Sequence, residues 1–283
     1  MYRIRIFSSF GKSENCKDIY ERLCESHLME NYGPNKEIYI TNNDDFTHVI
    51  ILNTAMPYIS HIPKENVIGF AFEPIQFLGL TEEFVRYAQK QIGKYYIGDK
   101  ADLPYPFVER FSHMWHNAPL KHTPVKNKAI SMMVSEKNAQ SGHKYRHDLI
   151  SKILETSLPI DIYGRGCRYY EYLGDERIKG EFGELEPYES YDFHICIENF
   201  ETNHYFSEKI TNSLMASTTP IYLGCRHIDE YFPDNVIRLS GNVNDDMELL
   251  KNIVENPSKY KKKIDLEIIK NRIYLLRNLK TLF

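Results

Sequence analysis

The chain has 283 residues, 42% hydrophobic and 26% charged, with a net charge of -4. That length holds one large domain or two of ordinary size, and the composition is normal for a soluble globular protein. The slight acidic balance argues against nucleic acid as the main partner, because such proteins carry a basic excess.

MYRIRIF opens directly into a strand-like pattern with no basic-then-apolar leader ahead of it. No apolar run reaches the eighteen or so residues needed to span a membrane. The five cysteines, Cys16, Cys24, Cys167, Cys196 and Cys225, are scattered and show neither C-x-x-C nor zinc-ligand spacing. Buried thiols in a reducing compartment, and so a cytoplasmic location, are expected.

The first 120 or so residues alternate strand and helix signals. YRIRIFSS (2–9) reads as a strand and CKDIYERLCESHL (16–28) as a helix. EIYIT (37–41), HVIILN (48–53) and NVIGFAF (66–72) are short apolar, β-branched runs of the kind found in parallel strands buried on both faces. TEEFVRYAQKQI (81–92) reads as a helix opened by a threonine cap and two acidic residues, and KYYIGD (94–99) as another strand. The alternation predicts helices on both faces of a sheet.

KHTPVKNK (121–128) is polar, carries a proline and lacks periodicity, which makes it the linker candidate. A second series follows: strand AISMMVS (129–135), helix KYRHDLISKILE (144–155) and strand LPIDIYG (158–164), a βαβ unit. GRGCRY lacks the third glycine of a dinucleotide fingerprint and is not read as one. YDFHICIEN (191–199) is a strand, a helix is expected from about Phe206 to Ala216, and PIYLG (220–224) is a strand. IDLEIIKNRIYLLRNLKTLF (264–283) is predicted as one amphipathic helix.

HYFSEK (204–209) puts a lysine where that middle helix begins, facing the positive end of the helix dipole. An anion at the helix start would explain it. Ligands of α/β folds sit at the carboxyl ends of strands, against helix N-termini. Ser207 can cap the helix, and Lys209 in its first turn can meet a phosphate. Arg146 is expected in the first turn of the preceding helix, after the polar loop SEKNAQSGH. Two cations at two helix starts form a plausible diphosphate clamp, although surface cations are common enough to arise by chance.

ENFETNHYFSEKITNSLMASTTPIYLG resembles the signature of the family 10 α-1,3/1,4-fucosyltransferases. Glu198, Asn199, Tyr205, Glu208, Lys209, Ile210, Pro220, Ile221 and Gly224 match at the family's spacing. Ser207 stands where the family usually has threonine, and Ser217 where many members have glycine. The resemblance runs over roughly residues 129–240 and is weak in the N-terminal half. It implies a GT-B fold of two Rossmann-like domains facing a central cleft, an inverting transfer, and a nucleotide-sugar donor held by the C-terminal domain. Arg146 and Lys209 would contact the diphosphate, Glu208 would bond ribose or sugar hydroxyls, and Asn199 and Tyr205 would line the same pocket.

An inverting transfer needs a carboxylate near the acceptor hydroxyl. Glu73, in FAFEP, follows a strand end and precedes a proline that bars ladder bonding; the segment resembles the family's glutamate motif. A merely solvated loop glutamate is the bland alternative, and Glu65, Glu82, Glu83 and Asp99 stand in reserve. No Asp-x-Asp triad occurs, so no metal and no cofactor beyond the donor substrate are expected, with Arg146 and Lys209 supplying the leaving-group charge stabilisation. The histidines are read as ordinary polar residues.

Residues 259–283 carry eight Lys/Arg against two Asp/Glu. A basic amphipathic helix of this kind can lie weakly on an anionic membrane or pack its Ile/Leu face across the domains, and packing is the expected role. The expected organisation is an acceptor-side domain over 1–122, a donor domain over 123–258 and the closing helix over 259–283. The expected activity is transfer of fucose from GDP-fucose to a saccharide hydroxyl of a glycan acceptor. The alternatives are another donor, such as a UDP-linked pentose or hexose, and a saccharide-binding protein without turnover.

Overall fold

The computed structural model describes residues 1–23, 35–118, 120 and 122–283. Residues 24–28 of the first predicted helix, Cys24 among them, and Lys121 of the linker candidate lie outside the described residues. The chain opens with β1 (Tyr2–Ser8), α1 (Ser13–Leu23), β2 (Ile38–Ile40), β3 (His48–Leu52), β4 (Val67–Phe70), α2 (Glu82–Gln91), β5 (Lys94–Ile97) and β6 (Phe107–Glu109). There follow β7 (Lys128–Met133), α3 (Ser141–Leu154), β8 (Ile160–Tyr163), β9 (Ile178–Gly180), β10 (Tyr191–Thr202) and α4 (Glu208–Met215). The last elements are β11 (Thr219–Cys225), α5 (Ile228–Tyr231), β12 (Ile237–Arg238), α6 (Val243–Glu255), α7 (Pro257–Tyr260), α8 (Leu266–Ile273) and α9 (Leu275–Leu282).

Two compact units result. The first comprises Met1–Pro119, Thr202–Glu208 and Lys270–Phe283; the second comprises Leu120–Glu201 and Lys209–Ile269.

In the first unit six strands run parallel in the order β2-β1-β3-β4-β5-β6. Successive residues of β3 show why its sequence is apolar without a break. Ile50 and Leu52 join one core with Ile4, Ile6, Ile68 and Phe70, while Val49 and Ile51 join another with Val67, Phe84 and Ala88. Both faces are buried, so alternation disappears from the sequence. Helix α2 starts as expected, with Thr81 Oγ1 accepting the Phe84 N–H at 3.1 Å, a cap worth about 1 kcal/mol.

The terminal segment differs from the single helix expected. Tyr274 adopts an extended backbone (φ -70°, ψ 118°) between α8 and α9. Its ring is fully buried and stacks on His116 at 4.8 Å, and burying it there breaks the helix. Leu275, Leu276, Leu279 and Leu282 of α9 belong to the same core as Ile4 and Ile50, so the apolar face of α9 is a packing face.

In the second unit the strand order is β12-β11-β10-β7-β8-β9. Numbered from β7, this is 3-2-1-4-5-6, the order of the dinucleotide-binding α/β fold. The pairs β7–β8, β8–β9, β7–β10 and β11–β12 are parallel. Ile130 and Met132 of β7, Leu149 and Ile153 of α3, and Leu250 and Ile253 of α6 share its core. Helix α6, which the sequence reading passed over, is capped by Asn242, whose side chain accepts from the N–H groups of Asn244 and Asp245. In the linker candidate Lys126 donates to Tyr188 O, Ala216 O and Thr218 Oγ1 at 3.2, 2.8 and 2.7 Å. No helix among the described residues is long and apolar enough to cross a membrane.

Candidate active site

Strand order reverses direction between β7 and β10, and the crevice beyond the carboxyl ends of those two strands is where such folds bind ligands. Register pairs Ile195 with Met132, so the two ends lie side by side. Glycines hold the surrounding segments close. A Cβ on Gly142, in the first turn of α3, would lie 1.9 Å from the Glu198 carbonyl oxygen. Only glycine lets that turn rest on the backbone of residues 198–199. The turn Gly164-Arg165-Gly166 does similar work after β8: a Cβ on Gly164 would meet Val134 O at 2.3 Å, and one on Gly166 would meet Ser135 O at 2.5 Å. Gly164 also has φ +106°, which other residues rarely adopt.

Arg146 is in the second turn of α3, not the first, because the helix begins at Ser141. The residues Ser141-Gly142-His143 look like loop in sequence, but Gly142 is there for close packing. The side chain nevertheless reaches back to the helix start, with Nε donating to Gly142 O at 3.2 Å. Arg146 is buried, and its guanidinium donates to Asn199 Oδ1. These two predicted donor residues are thus brought together. At the start of the same helix His143 Nδ1 accepts the Gln140 N–H at 3.3 Å. Burial is the main cause that pushes its pKa down to about 4; Arg146, Lys137 and Lys209 add to this by charge, and the neighbouring Asn199 side chain opposes it.

Lys209, the second residue of α4, lies 3.4 Å from the carboxylate of Glu198, which is 2% exposed. Cys196 Sγ bonds Lys209 O at 3.2 Å, tying the start of α4 to β10. Gly224 on β11 makes room for the carboxylate: its added Cβ would meet Glu198 Cγ at 2.4 Å and the Tyr222 hydroxyl at 2.6 Å. Lys209 therefore has a protein carboxylate for a partner, held in place from below, besides any ligand anion. Glu208 is the exposed first residue of the same helix.

The remaining predicted residues belong to the first unit. Tyr205 packs there: a Cβ on Gly98 would touch its Cβ at 2.4 Å, and its hydroxyl is 3.5 Å from Phe72 O. Asn203 N–H donates to Asp99 Oδ1 at 2.8 Å and His204 N–H to Gly98 O at 2.9 Å, fixing the segment on the loop after β5. Glu73 is exposed in the loop following β4. Its backbone is braced by Asn53, at φ +53°, whose side chain accepts the Phe72 N–H at 2.8 Å. Of the reserve carboxylates, Asp99 is engaged with Asn203 and Glu82 pairs with Arg86 at 3.3 Å. Glu65 precedes the start of β4, at the opposite end of the sheet, and Glu83 is in the first turn of α2.

Two residues carry more of the site than the sequence reading gave them. Glu198 was matched in the motif but given no role, although the pairing of a strand-end Glu with Lys209 is visible in its spacing. His143 and His147 stand four residues apart on α3, a spacing passed over when the histidines were set aside. They do not converge: His147 Nδ1 bonds the Tyr170 hydroxyl at 2.7 Å while His143 Nδ1 accepts the Gln140 N–H. Among the described residues no group of three or more His, Cys, Asp or Glu is placed to hold a metal ion.

Two parallel sheets flanked by helices, the second in dinucleotide-binding order, are the GT-B glycosyltransferase fold. The structure is similar to that of an α1,3-fucosyltransferase (TM-score 0.53, 12% identity, 99% of this chain and 90% of the other). It is also similar to Anabaena HepE in complex with UDP (0.56, 8%, 99% and 98%) and to a mutant T4 phage BGT in complex with UDP-glucose (0.51, 11%, 99% and 99%). Residues 123–263 match the sequence model of the glycosyltransferase family 10 (fucosyltransferase) C-terminal region. Over that region the chain is a family 10 fucosyltransferase-like glycosyltransferase. It is 27% identical over 120 residues to a fucosyltransferase-like protein of Arabidopsis thaliana, covering 41% of this chain and 22% of that one. It is 27% identical over 198 residues to a protein named as a fucosyltransferase in Acanthamoeba polyphaga mimivirus, covering 64% and 30%. The chain thus spans less than a third of the length of the curated relatives it matches.

Proposed function

We propose that the protein is an inverting glycosyltransferase that moves fucose from GDP-fucose to a saccharide hydroxyl. The observation that carries this is the cluster at the β7/β10 switch point, where Arg146 bonds Asn199 and Lys209 stands on Glu198, inside the region that matches the family. In this reading the diphosphate of the donor lies against Arg146 and Lys209, and Glu208 and Tyr205 contact its ribose or sugar. Glu73 takes the proton of the acceptor hydroxyl as that oxygen attacks the anomeric carbon. The bond from that carbon to the diphosphate oxygen breaks, and the cations stabilise the departing nucleotide.

Replacing Arg146 or Lys209 by alanine should weaken binding of the nucleotide by an order of magnitude or more, since each charge-assisted contact is worth about 1.5–3 kcal/mol. Calorimetric titration with GDP and with UDP tests this. Unchanged affinity in both variants would overturn the assignment.

The similar structures include a fucosyltransferase with GDP as well as proteins with UDP and UDP-glucose, which keeps a UDP-linked pentose or hexose as the second reading. The same titration separates the two by preferred base. A saccharide-binding protein without turnover would bind glycans and release no nucleotide from any donor. On the same proposal transfer needs no metal, and the rate should be unchanged by EDTA. Activity lost in the chelator and restored by manganese would contradict it.

A further inference from the structure

We infer that Phe10 is the platform on which a pyranose ring of the acceptor stacks, at the lip of a cluster of rings that includes Phe72 and Trp115. The inference rests on the reading of Glu73 as the base that serves the acceptor hydroxyl.

Four of the exposed large apolar side chains of the first unit share one end of its sheet. Phe10 follows β1, Met56 and Tyr58 follow β3, and Phe77 follows β4. These three strands are neighbours and run parallel, so their following loops leave the same end. Glu73 is on the third of those loops.

Ring contacts tie Phe10 to Glu73. The Phe10 ring is 50% exposed and lies 6.2 Å from the ring of Phe72, the residue before Glu73. It meets the indole of Trp115 edge-on at 5.6 Å and 74°. Phe72 meets the same indole edge-on at 5.4 Å, and Tyr20 does so at 6.1 Å. Phe72 and Tyr20 are buried, so the cluster runs from the core to the surface beside the proposed base. Backbone bonds hold its members in place. Ser8 Oγ accepts the Phe10 N–H at 3.1 Å, and Asn53 Oδ1 accepts the Phe72 N–H at 2.8 Å. The Phe72 carbonyl oxygen is 3.5 Å from the hydroxyl of Tyr205, which the same reading sets against the donor. A hydroxyl delivered to a base must arrive in a fixed position, and a held ring next to that base provides it.

A pyranose suits this surface. Its hydroxyls ring the edge while C–H groups cover a face, and that face packs on an exposed aromatic ring while the edge keeps to water and polar groups. A protein partner is disfavoured by size, since a stable interface takes about 20–30 residues a side. A lipid tail is disfavoured by setting: it would cover an exposed carboxylate and strip it of water.

Trp115 is the single tryptophan of the chain, so its fluorescence reports on this cluster. Lactose, cellobiose, maltose and chitobiose, titrated in turn into the full chain without nucleotide, should give a saturable change in emission with at least one of them. Phe10→Ala should weaken that binding about tenfold, the upper end for one ring stack. Phe10→Leu, which keeps bulk but has no ring, should lose nearly as much, and Phe10→Tyr should keep the wild-type affinity. GDP affinity should be the same in every variant, which a general loss of structure would not allow. No response to any of the disaccharides, or equal affinities in wild type and Phe10→Leu, would overturn the proposal. An equal response to phenol alone would also overturn it, because the rings would then be selecting an aromatic group and not a sugar. Saccharide binding without nucleotide binding would instead sink the donor reading and leave the platform standing. Should Phe10→Ala not fold, Phe10→Leu carries the comparison.

Discussion

Glu73→Gln should leave nucleotide affinity intact and lower transfer to the acceptor by about two to four orders of magnitude. Glutamine keeps the shape of the side chain and its hydrogen-bonding reach but cannot take a proton. The loop that carries Glu73 is braced by Asn53, whose side chain accepts the Phe72 N–H. The Glu73 side chain is exposed, which makes a stability effect small. Affinity and rate should therefore part company, a signature that misfolding cannot imitate. Transfer within a few-fold of wild type would clear Glu73 as the base. Asp99, which accepts the Asn203 N–H at 2.8 Å, would then be the next candidate.

The second large effect is expected in stability. Glu198→Ala should lower the unfolding free energy by about 3 kcal/mol, the lower end of the range for removing one partner of a buried ion pair. The lower end applies because Lys209 is 21% exposed and can turn partly to water. The alanine also leaves a space beneath Lys209, against Gly224 and the Tyr222 hydroxyl, that nothing else fills. Urea unfolding measures the change directly. Glu198→Gln should lose less, since the shape is kept and only the charge is gone. If Glu198→Ala unfolds at the wild-type midpoint, Lys209 is held by something other than this carboxylate.

The buried parallel strands were legible in the sequence for a physical reason. HVIIL and VIGF are covered on both faces, so they read as unbroken apolar runs bounded by polar turns. The short edge strands β6, β9 and β12 have three, three and two residues and leave no such trace. Arg146, Asn199 and Lys209 could be found because charge at strand ends and helix starts is a local pattern. The first turn of α3 could not, since its glycine answers to a backbone fifty-six residues further on. For the same reason the packing of Tyr205 against Gly98 and the break at Tyr274 were hidden: each depends on what a distant segment presents. The pairing of Glu198 with Lys209 is legible in the motif, where a strand-end carboxylate precedes a helix-start lysine.

The leucines of α9 have a consequence for how the protein is made. The first unit takes its opening strand from residues 2–8 and part of its core from residues 275–282. On a ribosome, where domains commonly fold as they emerge, this one stays unfinished while everything between is synthesised. Until Leu282 is in place, Ile4, Ile6 and Ile50 lack part of their cover. A fragment ending near residue 122, which local patterns would suggest as a self-sufficient piece, should emerge with a sticky, incomplete core. Fragments for expression would therefore need both extremities, joined by a redesigned connection, to yield a stable product.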